Sequence, residues 1–552
     1  MGTPPALPAC YEAACHFVLR LLSSRSGENH LTLSRSALAR QLLAIFSGVV
    51  LTLAFPPYGL SVLAWIAFIP LLYSIEGSRP LEVLGMTWLQ QLVFGVTSGA
   101  WVFSTLHDFS RLSITTSLIE FTILCSFLAA FGAAAVAIAE FISRRLSVPI
   151  VLTLPLAWVA GELLRTVIPF SFPWNLLGYA AYRDIYVIQF AEFTGVYGIS
   201  ALIILVNLSV YEFLFGGRTV TARRRMLLSS IAILSIALLY GAMRVSQIDS
   251  APAAGSLRVA LISGGLPPAK AYTSRARVES FDLYRLNTQL TLRQHPDLVI
   301  WPECAAMFIF QPDDRYSFAM AADAAYRRSL VEFARDSEVP ILFGALAFRQ
   351  AHGVVTMLNR AYLLSRSGEV AGYYDKIKLV PFGEYLPMPQ ILARHMTTIA
   401  GIQNLSYGDR DSLFDIAGAK LGVRICYESI FPDLTRRATA AGADILVNIS
   451  NDAWYGKIGA EQALAMTAMR AVENKRPVIR VANQGFTATI SPTGRIQIPI
   501  EFSTASGAVR DVSWPTGRTF YVRFGDIFAK ASLALVAAGV VLAILSNFRS
   551  WR

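Results

Sequence analysis

Charged residues are scarce in this sequence. Asp, Glu, Lys and Arg make up only 15% of the 552 residues, whereas they make up about a quarter of an ordinary soluble protein. Hydrophobic residues reach 54%, and the mean hydropathy is +0.48. This composition excludes an ordinary soluble protein and indicates a membrane protein.

Paired cysteines are also missing. The five cysteines show neither the pairing of a disulfide framework nor the spacing of a zinc site, so we expect no metal and no cofactor. The net charge of +11 would fit a nucleic-acid partner, but the arginines are scattered and several flank apolar runs. They are better explained as charges that orient a protein in a membrane, and no nucleic-acid partner is expected.

Long apolar runs occur near both ends of the chain but not in its middle. A helix that spans a bilayer needs about 20 apolar residues, and no such run occurs from 249 to about 515. We predict eight transmembrane helices from the runs near 38–55, 60–75, 83–106, 114–141, 149–169, 187–215, 226–247 and 526–547. The predicted layout is an N-terminal extension, a seven-helix transmembrane domain, a globular domain and a C-terminal transmembrane helix, over 1–36, 37–248, 249–515 and 516–552.

Arginines are concentrated in alternate loops of the predicted membrane domain. Arg144, Arg145 and the cluster at 223–225 fall on one side, while the opposite loops carry little beyond Arg111 and Arg183. Because cytoplasmic loops are enriched in Lys and Arg, the arginine-rich side should face the cytoplasm. Seven crossings then place the globular domain outside the membrane. We therefore expect a multi-pass protein of a bacterial inner membrane, with its globular domain in the periplasm.

The globular domain alternates β-rich and helical segments. We predict helices near 274–293, 317–336 and 461–474. We predict strands in 257-LRVALI, 297-DLVIW, 340-PILFGAL, 421-LGVRI, 444-DILVNIS and 477-PVIRVAN. Repeated alternation of strands and helices is typical of an α/β or layered sheet domain.

Three kinds of reactive side chain stand where predicted strands end. Glu303 lies in 300-IWPECA, Lys376 lies in 373-YYDKIKLVPFGEYLP, and Cys426 lies in 421-LGVRICYESIF. A carboxylate can take the proton of a thiol, and a nearby ammonium lowers the thiol pKa and stabilises an oxyanion. A thiolate can then attack a carbonyl and form a thioester. Taken singly, these residues are equally explained as a surface acid, a solvated charge and a small core residue.

Five motifs together resemble the nitrilase superfamily, and within it the membrane-bound apolipoprotein N-acyltransferase family. They are WPE at 301–303, LVPFGEYLP at 379–387, CYES at 426–429, NDAWYG at 451–456 and RAVENKRPVIRVANQG at 470–485. The resemblance implies an α/β nitrilase-like αββα sandwich, joined to an integral membrane α-helical bundle of eight transmembrane helices.

The resemblance implies a Glu-Lys-Cys triad. Glu303 is the implied general base, Lys376 the triad lysine and Cys426 the nucleophile. Lys376 is preferred over Lys378 because it lies at the family's distance before the glutamate of the Pro-Phe-Gly-Glu motif. That glutamate, Glu384, is implied to position the lysine and to assist proton transfer.

Four further residues acquire roles through the same resemblance. Tyr427 is implied to offer its backbone N–H to the oxyanion, and Glu428 resembles an acid that the family needs beside the nucleophile. Trp454 resembles an aromatic residue at the acyl or amine pocket. Asn359, in 357-MLNRAY, corresponds to an asparagine of the family's Tyr-Asn-Ser motif on the substrate side of the site.

Several positions depart from the family pattern where substrate would be bound. The segment 261-LISGGLPPAKAY-272 replaces a Gln-Gly-Asn pattern followed by tryptophan, and Tyr272 is the nearest aromatic residue. Ala463 replaces the histidine of a Gln-His pair, Gln484 replaces the threonine of Asn-Thr-Gly, and Cys304 follows the triad glutamate. Because the triad is intact, the reaction class is kept, while the donor and the acceptor stay open.

Ionisable residues also fall within the predicted membrane helices. Glu120, Glu162, Arg165 and Glu192 lie toward the outer ends of their helices. Such groups are costly in a bilayer and tend to face the bundle interior or a cavity. Glu162 and Arg165 are three residues apart and share a helix face. They either form an interhelical ion pair or line a polar floor that receives a phospholipid head group.

The resemblance implies a two-step transferase. A phospholipid donates an acyl chain to Cys426, and the thioester then acylates the α-amine of diacylglyceryl-cysteine on an apolipoprotein. The expected partners are the phospholipid, the diacylated apolipoprotein and the membrane. One alternative is a membrane-tethered carbon-nitrogen hydrolase, an amidase with water as acceptor. Another is a catalytically idle scaffold that binds lipoproteins, against which the intact triad argues.

Overall fold

The computed structural model describes most of the chain. The described residues are 36–109, 112–168, 171–265, 274–311, 323–351, 354–385 and 405–549. The N-terminal extension apart from Ser36, the loop residue Arg111, and Tyr272 lie outside the described residues, so the structure does not test the expectations that concern them.

Helices fill the region before the first strand. The main helices there are α1 (Ala37–Leu53), α2 (Ile69–Ile75), α3 (Pro80–Ser98), α4 (Ile114–Leu146), α5 (Ile150–Val167), α6 (Val196–Phe215) and α7 (Val220–Ser250). Within the described residues, five helices are long and apolar enough to cross a membrane, namely α4 to α7 and a last helix that contains Ile527–Ser546. The protein is therefore a multi-pass membrane protein.

The second predicted transmembrane helix is interrupted. Its apolar run forms a 3₁₀ turn at Ser61–Trp65, followed by α2 with only 7 residues. A helix of that length rises about 10 Å, whereas the hydrocarbon core of a bilayer is about 30 Å thick. Helix length and composition thus support five of the eight predicted crossings, and the full count stays a prediction.

Two sheets form the globular domain. The first has seven strands in the order β13-β1-β2-β4-β5-β6, with β3 paired to β4, and the second has six in the order β12-β11-β10-β9-β8-β7. The strands are β1 (Gly255–Ser263), β2 (Leu298–Ile300), β3 (Ala306–Ile309), β4 (Ile341–Ala351), β5 (Val354–Leu364), β6 (Val370–Asp375), β7 (Leu413–Ile416), β8 (Ala419–Ile425), β9 (Ile445–Asn451), β10 (Val478–Asn483), β11 (Thr487–Ile490), β12 (Ile496–Ile500) and β13 (Ser506–Trp514). All six predicted strands are present.

Helices cover the outer face of each sheet. They are α8 (Ser274–Leu292) and α9 (Ala324–Ser337) on the first sheet, and α10 (Pro432–Ala440) and α11 (Gly456–Asn474) on the second. Successive residues of a strand point to opposite faces. In β1, Ala260 and Ile262 pack with Phe281 of α8, while Leu257 and Val259 face the other way.

The second sheet repeats this pattern and completes the layers. Val447 and Ile449 of β9 join the same apolar cluster as Val259 of β1, so the two sheets pack face to face. Leu446, directly before Val447, points to the opposite face and packs with Leu464 of α11. The order helix, sheet, sheet, helix is the expected αββα sandwich, and it follows from strands that are apolar on both faces. The last helix, α12 (Ile527–Arg549), follows the sandwich.

Helix α11 joins the sandwich to the membrane helices. Both of its sides are buried, because one packs on the second sheet and the other meets the membrane domain. Gln462 donates to the carbonyl oxygens of Pro56 (3.1 Å) and Ser98 (2.9 Å). Near the other end, Glu473 accepts from the backbone N–H of Val196 at 2.8 Å, where α6 begins. The two domains are thus connected by direct hydrogen bonds at both ends of α11.

Candidate active site

The triad residues follow strands that run in one direction. Strand β2 is parallel to β4, and β6 runs the same way because it is antiparallel to β5, which is antiparallel to β4. Glu303 lies three residues beyond β2, and Lys376 directly follows β6. In the second sheet, Cys426 directly follows β8, and the N–H of Asn451 at the end of β9 donates to Glu303 at 2.9 Å. The carboxyl ends of both sheets therefore meet at one site.

Cys426 occupies an unusual backbone conformation. Its φ is +52°, and it opens the 3₁₀ turn Cys426–Ile430. Residues other than glycine seldom adopt positive φ, and such strain persists where the surrounding structure enforces it, often at functional sites. The sharp turn from strand to helix fixes the thiol at the strand end. The side chain is only 5% exposed.

Lys376 lies between two carboxylates. Its Nζ is 3.2 Å from Glu303 Oε1 and 2.8 Å from Glu384 Oε1, and the lysine is almost fully buried. Burial alone would lower the pKa of Lys376, but the two carboxylates raise it well above its usual value. The ammonium is therefore charged at every physiological pH. Lys378, in contrast, is exposed, with its Nζ 5.4 Å from the ring centroid of Phe431.

The thiol of Cys426 is protonated at rest. Burial, followed by the charge of Glu303, raises the pKa of Cys426 to about 12, although Lys376 opposes the shift. Lys376 therefore lowers the thiol pKa, as expected, but its effect is smaller than the opposing effect of desolvation. A thiolate forms here only if a base removes the proton during the reaction. Glu303 is the base that the sequence predicts for this task.

Asn359 contacts both carboxylates of the site. Its Nδ2 donates to Glu303 Oε1 at 2.7 Å and lies 3.3 Å from Glu384 Oε1. The other oxygen of Glu384 accepts from the backbone N–H of Val380 at 2.9 Å. Asn359 is buried and its amide can orient both acids, while its expected place on the substrate side of the site stays a prediction.

Glu428 is fully buried, and its carboxylate organises the backbone around the site. It accepts from the N–H groups of Ile377 (2.6 Å), Lys378 (3.0 Å) and Ile425 (2.8 Å), and from the hydroxyl of Tyr374 at 2.9 Å. Burial raises the pKa of Glu428, although Arg424 and these donors oppose the shift. The carboxylate ties the segment after Lys376 to the end of β8. Its backbone donors therefore follow Lys376 and precede Cys426 in the chain.

Tyr427 and Trp454 lie on the membrane side of the site. The hydroxyl of Tyr427 donates to the carbonyl of Ser171 at 2.9 Å, in the loop that links α5 to α6. Trp454 is 37% exposed, and its carbonyl accepts from the hydroxyl of Thr105. Both residues therefore connect the strand ends with the membrane domain, Tyr427 through a loop and Trp454 through the helical segment Thr105–Phe109.

A buried network of hydrogen bonds ends at the backbone carbonyl of Cys426. Arg480, inside β10, donates to both oxygens of Asp452 at 2.6 Å and to Asn448 Oδ1. Asn448 in turn donates to the carbonyl of Cys426 at 3.2 Å. Sequence reasoning missed this network. An arginine within the apolar strand 477-PVIRVAN was the available signal, because a buried charge requires a partner.

Tyr455 was also missed, although it belongs to the NDAWYG motif. Its hydroxyl oxygen lies 3.3 Å from the Sγ of Cys426. The ring packs edge-on against Trp101 and Trp174, at centroid distances of 5.2 and 5.3 Å. Both indole N–H groups donate to Gln462, at 3.1 and 2.7 Å. Aromatic residues of the membrane domain thus reach the nucleophile.

Glu162 and Arg165 do not form the ion pair that sequence reasoning allowed. Arg165 donates instead to the carbonyls of Phe172 (3.0 Å) and Trp174, while Glu162 accepts from Trp158 Nε1 (3.1 Å) and the N–H of Leu177 (2.7 Å). The second carboxylate oxygen of Glu162 has no hydrogen-bond partner among the described residues.

The other two ionisable residues of the membrane helices differ from each other. Glu192 pairs with Arg244 at 2.9 Å. Glu120 is exposed on the surface of α4, so for that residue the expected inward orientation is wrong.

Two adjoining cavities lie in the membrane domain beneath the site. One is lined by Glu162, Arg165 and Asn175 among apolar side chains. The other is bordered by the apolar face of α4 and by Trp101 and Trp174. These tryptophans also contact Tyr455, whose hydroxyl lies beside Cys426.

The departures from the family pattern lie around this centre. Ala463 is buried in α11 beside Gln462. Gln484 donates to the carbonyl of Gly265 at 2.9 Å and to the hydroxyl of Ser503 at 3.0 Å. Cys304 has a φ of +52°, and burial raises the pKa of its thiol. No group of three or more His, Cys, Asp or Glu side chains within the described ranges could hold a metal ion.

Comparison with known proteins identifies two family regions. Residues 47–209 match the apolipoprotein N-acyltransferase N-terminal domain, and residues 259–510 match carbon-nitrogen hydrolase. A solved structure of a mutant amidase from Nesterenkonia sp. AN1 aligns at 19% identity with a TM-score of 0.35, covering 48% of this chain and 94% of its own.

Curated relatives match nearly the whole chain. The apolipoprotein N-acyltransferase of Geobacter metallireducens is 33% identical over 91% of this chain and 95% of its own length. That of Gloeobacter violaceus is 27% identical over 92% and 94%, respectively. That of Thermotoga maritima is 26% identical, also over 92% and 94%. With both family regions present and this coverage at 33% identity, the chain belongs to the apolipoprotein N-acyltransferase family.

Proposed function

We propose that this enzyme transfers an acyl chain from a phospholipid, through a thioester on Cys426, to the α-amine of diacylglyceryl-cysteine on an apolipoprotein. The observation that carries the proposal is the junction of two environments at Cys426. On one side stands a buried lysine between two carboxylates. On the other side, Tyr455 connects the thiol with tryptophans that border an apolar membrane cavity. A soluble substrate would need no such cavity, whereas an acyl chain does.

The first half-reaction forms the thioester. Glu303 takes the proton of Cys426, and Sγ attacks the ester carbonyl carbon of the phospholipid. The oxyanion that forms is stabilised by the ammonium of Lys376 and by the backbone N–H of Tyr427. The intermediate collapses by breaking the bond to the glycerol oxygen, which takes the proton back from Glu303 and leaves as a lysophospholipid.

The second half-reaction releases the acyl group. The α-amine of the acceptor attacks the thioester carbonyl, and Glu303 accepts a proton from the amine nitrogen. The carbon–sulfur bond breaks, the amide product forms, and Cys426 regains its proton from Glu303. The same base and the same oxyanion site therefore serve both steps. Glu384 and Asn359 hold the lysine and the base in place throughout.

Substrate binding is assigned to the membrane side of the site. The apolar cavity beside Trp101 accommodates the acyl chain of the donor. Glu162 and Arg165 form a polar wall of the neighbouring cavity, which suits a lipid head group or the glycerol ester region. Trp454, which is partly exposed at the rim, is placed to contact the acceptor.

The proposal includes the arrangement in the membrane. We propose seven transmembrane helices over 37–248, a periplasmic catalytic domain over 249–515, and an eighth transmembrane helix within 516–552, in a bacterial inner membrane. A membrane-impermeant amine reagent applied to intact spheroplasts should label the catalytic domain. The arginine-rich loop at 216–225 is tested separately, with a cysteine placed in it and a membrane-impermeant thiol reagent. The proposed topology is wrong if this loop is labelled while the catalytic domain is protected.

A chase experiment tests the reaction. Purified enzyme is loaded with a phospholipid that carries a labelled acyl chain, freed of donor, and given a diacylated lipopeptide with a free amine. The proposal predicts that the label moves to the peptide as an amide. Release of labelled fatty acid alone, with the lipopeptide present, would instead support an amidase that uses water. An N-acetylated lipopeptide is the matched control, because it lacks the accepting amine.

A further inference from the structure

The hydroxyl of Tyr455 touches the reacting sulfur and has no role in the mechanism above. It lies 3.3 Å from Cys426 Sγ, within the range of a hydrogen bond to sulfur. Among the described residues, this sulfur is the hydrogen-bond partner that the structure gives the hydroxyl. Tyr455 is 7% exposed, so water has little access to replace the contact.

The position of this hydroxyl is fixed from the membrane side. The ring packs against both Trp101 and Trp174, whose ring centroids are themselves 4.7 Å apart. Gln462 accepts from both indoles and donates to two backbone carbonyls of the membrane domain. The backbone N–H of Tyr455 donates to the carbonyl of Asp452 at 2.9 Å. The phenol therefore cannot turn away from the sulfur without breaking this packing.

The direction of the hydrogen bond follows from the chemistry of the step. While Cys426 is a thiol, either group can donate. Once the proton has moved to Glu303, the sulfur can only accept, so the phenol must be the donor. Burial, followed by the adjacent sulfur, raises the pKa of Tyr455 well above its usual value. The phenol thus keeps its proton and stays a donor.

We propose that Tyr455 is a further catalytic residue, whose hydroxyl donates a hydrogen bond to the Cys426 thiolate. The thiolate arises twice in the cycle: when Cys426 is deprotonated for attack, and when it leaves from the thioester under attack by the amine. Lys376 and the N–H of Tyr427 serve the oxyanion, whereas Tyr455 serves the sulfur. The proposed donor therefore assists both half-reactions. The second of these roles rests on the proposed function, and the first does not.

The phenol also connects catalysis with the lipid cavity. Trp101 and Trp174, which hold its ring, border the apolar cavity in the membrane domain. An acyl chain that enters this cavity packs against the residues that aim the hydroxyl at the sulfur. The donor that stabilises the thiolate and the surface that receives the lipid are thus parts of one aromatic cluster.

Alkylation of Cys426 by iodoacetamide tests the hydrogen bond without using lipid transfer. The variant Tyr455→Phe keeps the ring and removes only the hydroxyl. The matched control is Tyr362→Phe, which removes a buried phenol that donates to the carbonyl of Phe310, away from the site. Full-length enzyme in detergent is alkylated at fixed pH, and the modified Cys426 peptide is quantified by mass spectrometry.

We expect Tyr455→Phe to be alkylated about three- to ten-fold more slowly than wild type. Losing a donor to a charged group lowers the thiolate fraction about ten-fold or more, and the greater nucleophilicity of the remaining thiolate offsets part of that loss. Tyr362→Phe should be alkylated at the wild-type rate. Unchanged alkylation of a folded Tyr455→Phe variant, judged by its melting temperature, would overturn the proposal.

The two half-reactions provide the second readout. Acylation of Cys426 by phospholipid and transfer from loaded enzyme to a lipopeptide should each slow about ten-fold in Tyr455→Phe. If wild-type enzyme forms no acyl-enzyme, the proposed function fails, while the alkylation rates still decide the role of Tyr455. If alkylation slows as expected and neither half-reaction does, the hydrogen bond stands but Tyr455 is not catalytic, and the proposal is overturned.

Discussion

Two buried clusters of charge in this molecule differ in their ratio of acid to base. At the strand ends, one ammonium, Lys376, lies between the carboxylates of Glu303 and Glu384. At the joint with the membrane helices, one guanidinium, Arg470, pairs with one carboxylate, Glu473, at 2.8 Å. Both clusters are removed from water, but only the first contains more acids than bases.

The difference separates a reactive cluster from a structural one. With two carboxylates on one ammonium, a proton can be taken up by Glu303 while Lys376 stays paired through Glu384. At the joint, one carboxylate contacts the arginine and also accepts from the N–H of Val196, while the neighbouring acid Asp526 accepts from Tyr521. A buried carboxylate costs stability in its charged form even when it is paired. Substitutions should therefore affect catalysis in one cluster and stability in the other.

The largest effect is expected when the charge between the two acids is removed. Lys376→Met should slow acylation of Cys426 about a hundred- to a thousand-fold, because the oxyanion loses its ammonium. The measurement is the rate of acyl-enzyme formation from phospholipid, followed by mass spectrometry.

Lys378→Met is the matched control for this variant. Its side chain is exposed and contacts only the face of Phe431 among the described residues, while its backbone N–H, which Glu428 uses, is kept. It should retain acylation close to the wild-type rate. An equal loss in both variants would show that the two lysines cannot be distinguished by their contacts.

The stability of the protein should depend on pH through Glu473, at the joint between α11 and the membrane helices. Burial raises the pKa of Glu473 to about 7, above the usual carboxyl value, so the folded state binds a proton more tightly than the unfolded state. The proton on Glu473 stabilises the folded state fully below about pH 4.5, and this stabilisation is lost as the pH rises through about 7. Relative to Glu473→Gln, wild type should lose up to about 3 kcal/mol over this range.

Thermal unfolding of both proteins from pH 5 to 8 checks this expectation. The difference in Tm between wild type and Glu473→Gln should shift in favour of the variant as the pH rises. At each pH, wild type and Glu473→Gln should have similar rates of acylation per folded molecule. Parallel Tm curves for the two proteins would remove Glu473 as the titrating group.

A smaller effect on catalysis is expected from Glu428, which acts through the backbone. Glu428→Gln replaces one acceptor oxygen with an NH₂ group that opposes the N–H donors of Ile377, Lys378 or Ile425. Acylation should slow about ten-fold, since loss of a hydrogen bond to a charged group costs about 1.5 kcal/mol or more. Tyr374→Phe removes a single donor to the same carboxylate and should have a weaker effect. A rate loss confined to the transfer step would assign Glu428 to the acceptor instead.

Features that depend on a short stretch of the chain could be predicted from the sequence. Glu303, Lys376 and Cys426 each lie within a short motif beside an apolar strand, so their candidacy needs no knowledge of distant contacts. The alternation of strands and helices predicts an α/β or layered sheet domain in the same way, and the resemblance to the nitrilase superfamily supplied the αββα sandwich. The net effect of burial on the Cys426 pKa was not predictable, because desolvation depends on the packing of the whole domain around the thiol.

The parts that depend on distant contacts were missed. Gln462 meets Trp101 and Trp174, which are 361 and 288 residues away in the chain, and no local pattern predicts such pairs. Tyr455 looked like a neighbour of the expected pocket residue Trp454, yet its hydroxyl is the one beside the sulfur. The interrupted helix at 60–75 was read as continuous because hydropathy alone does not reveal a break.

The most direct test of the account is the mass of Cys426 after exposure to phospholipid alone. Enzyme incubated with a donor of defined acyl chain, without acceptor, is digested, and the peptide that contains Cys426 is examined by mass spectrometry under conditions that preserve thioesters. The account predicts one acyl group on Cys426, removed by hydroxylamine, and its absence in Glu303→Gln and Lys376→Met. A Cys426 that stays unmodified while acyl transfer to a lipopeptide proceeds would contradict it.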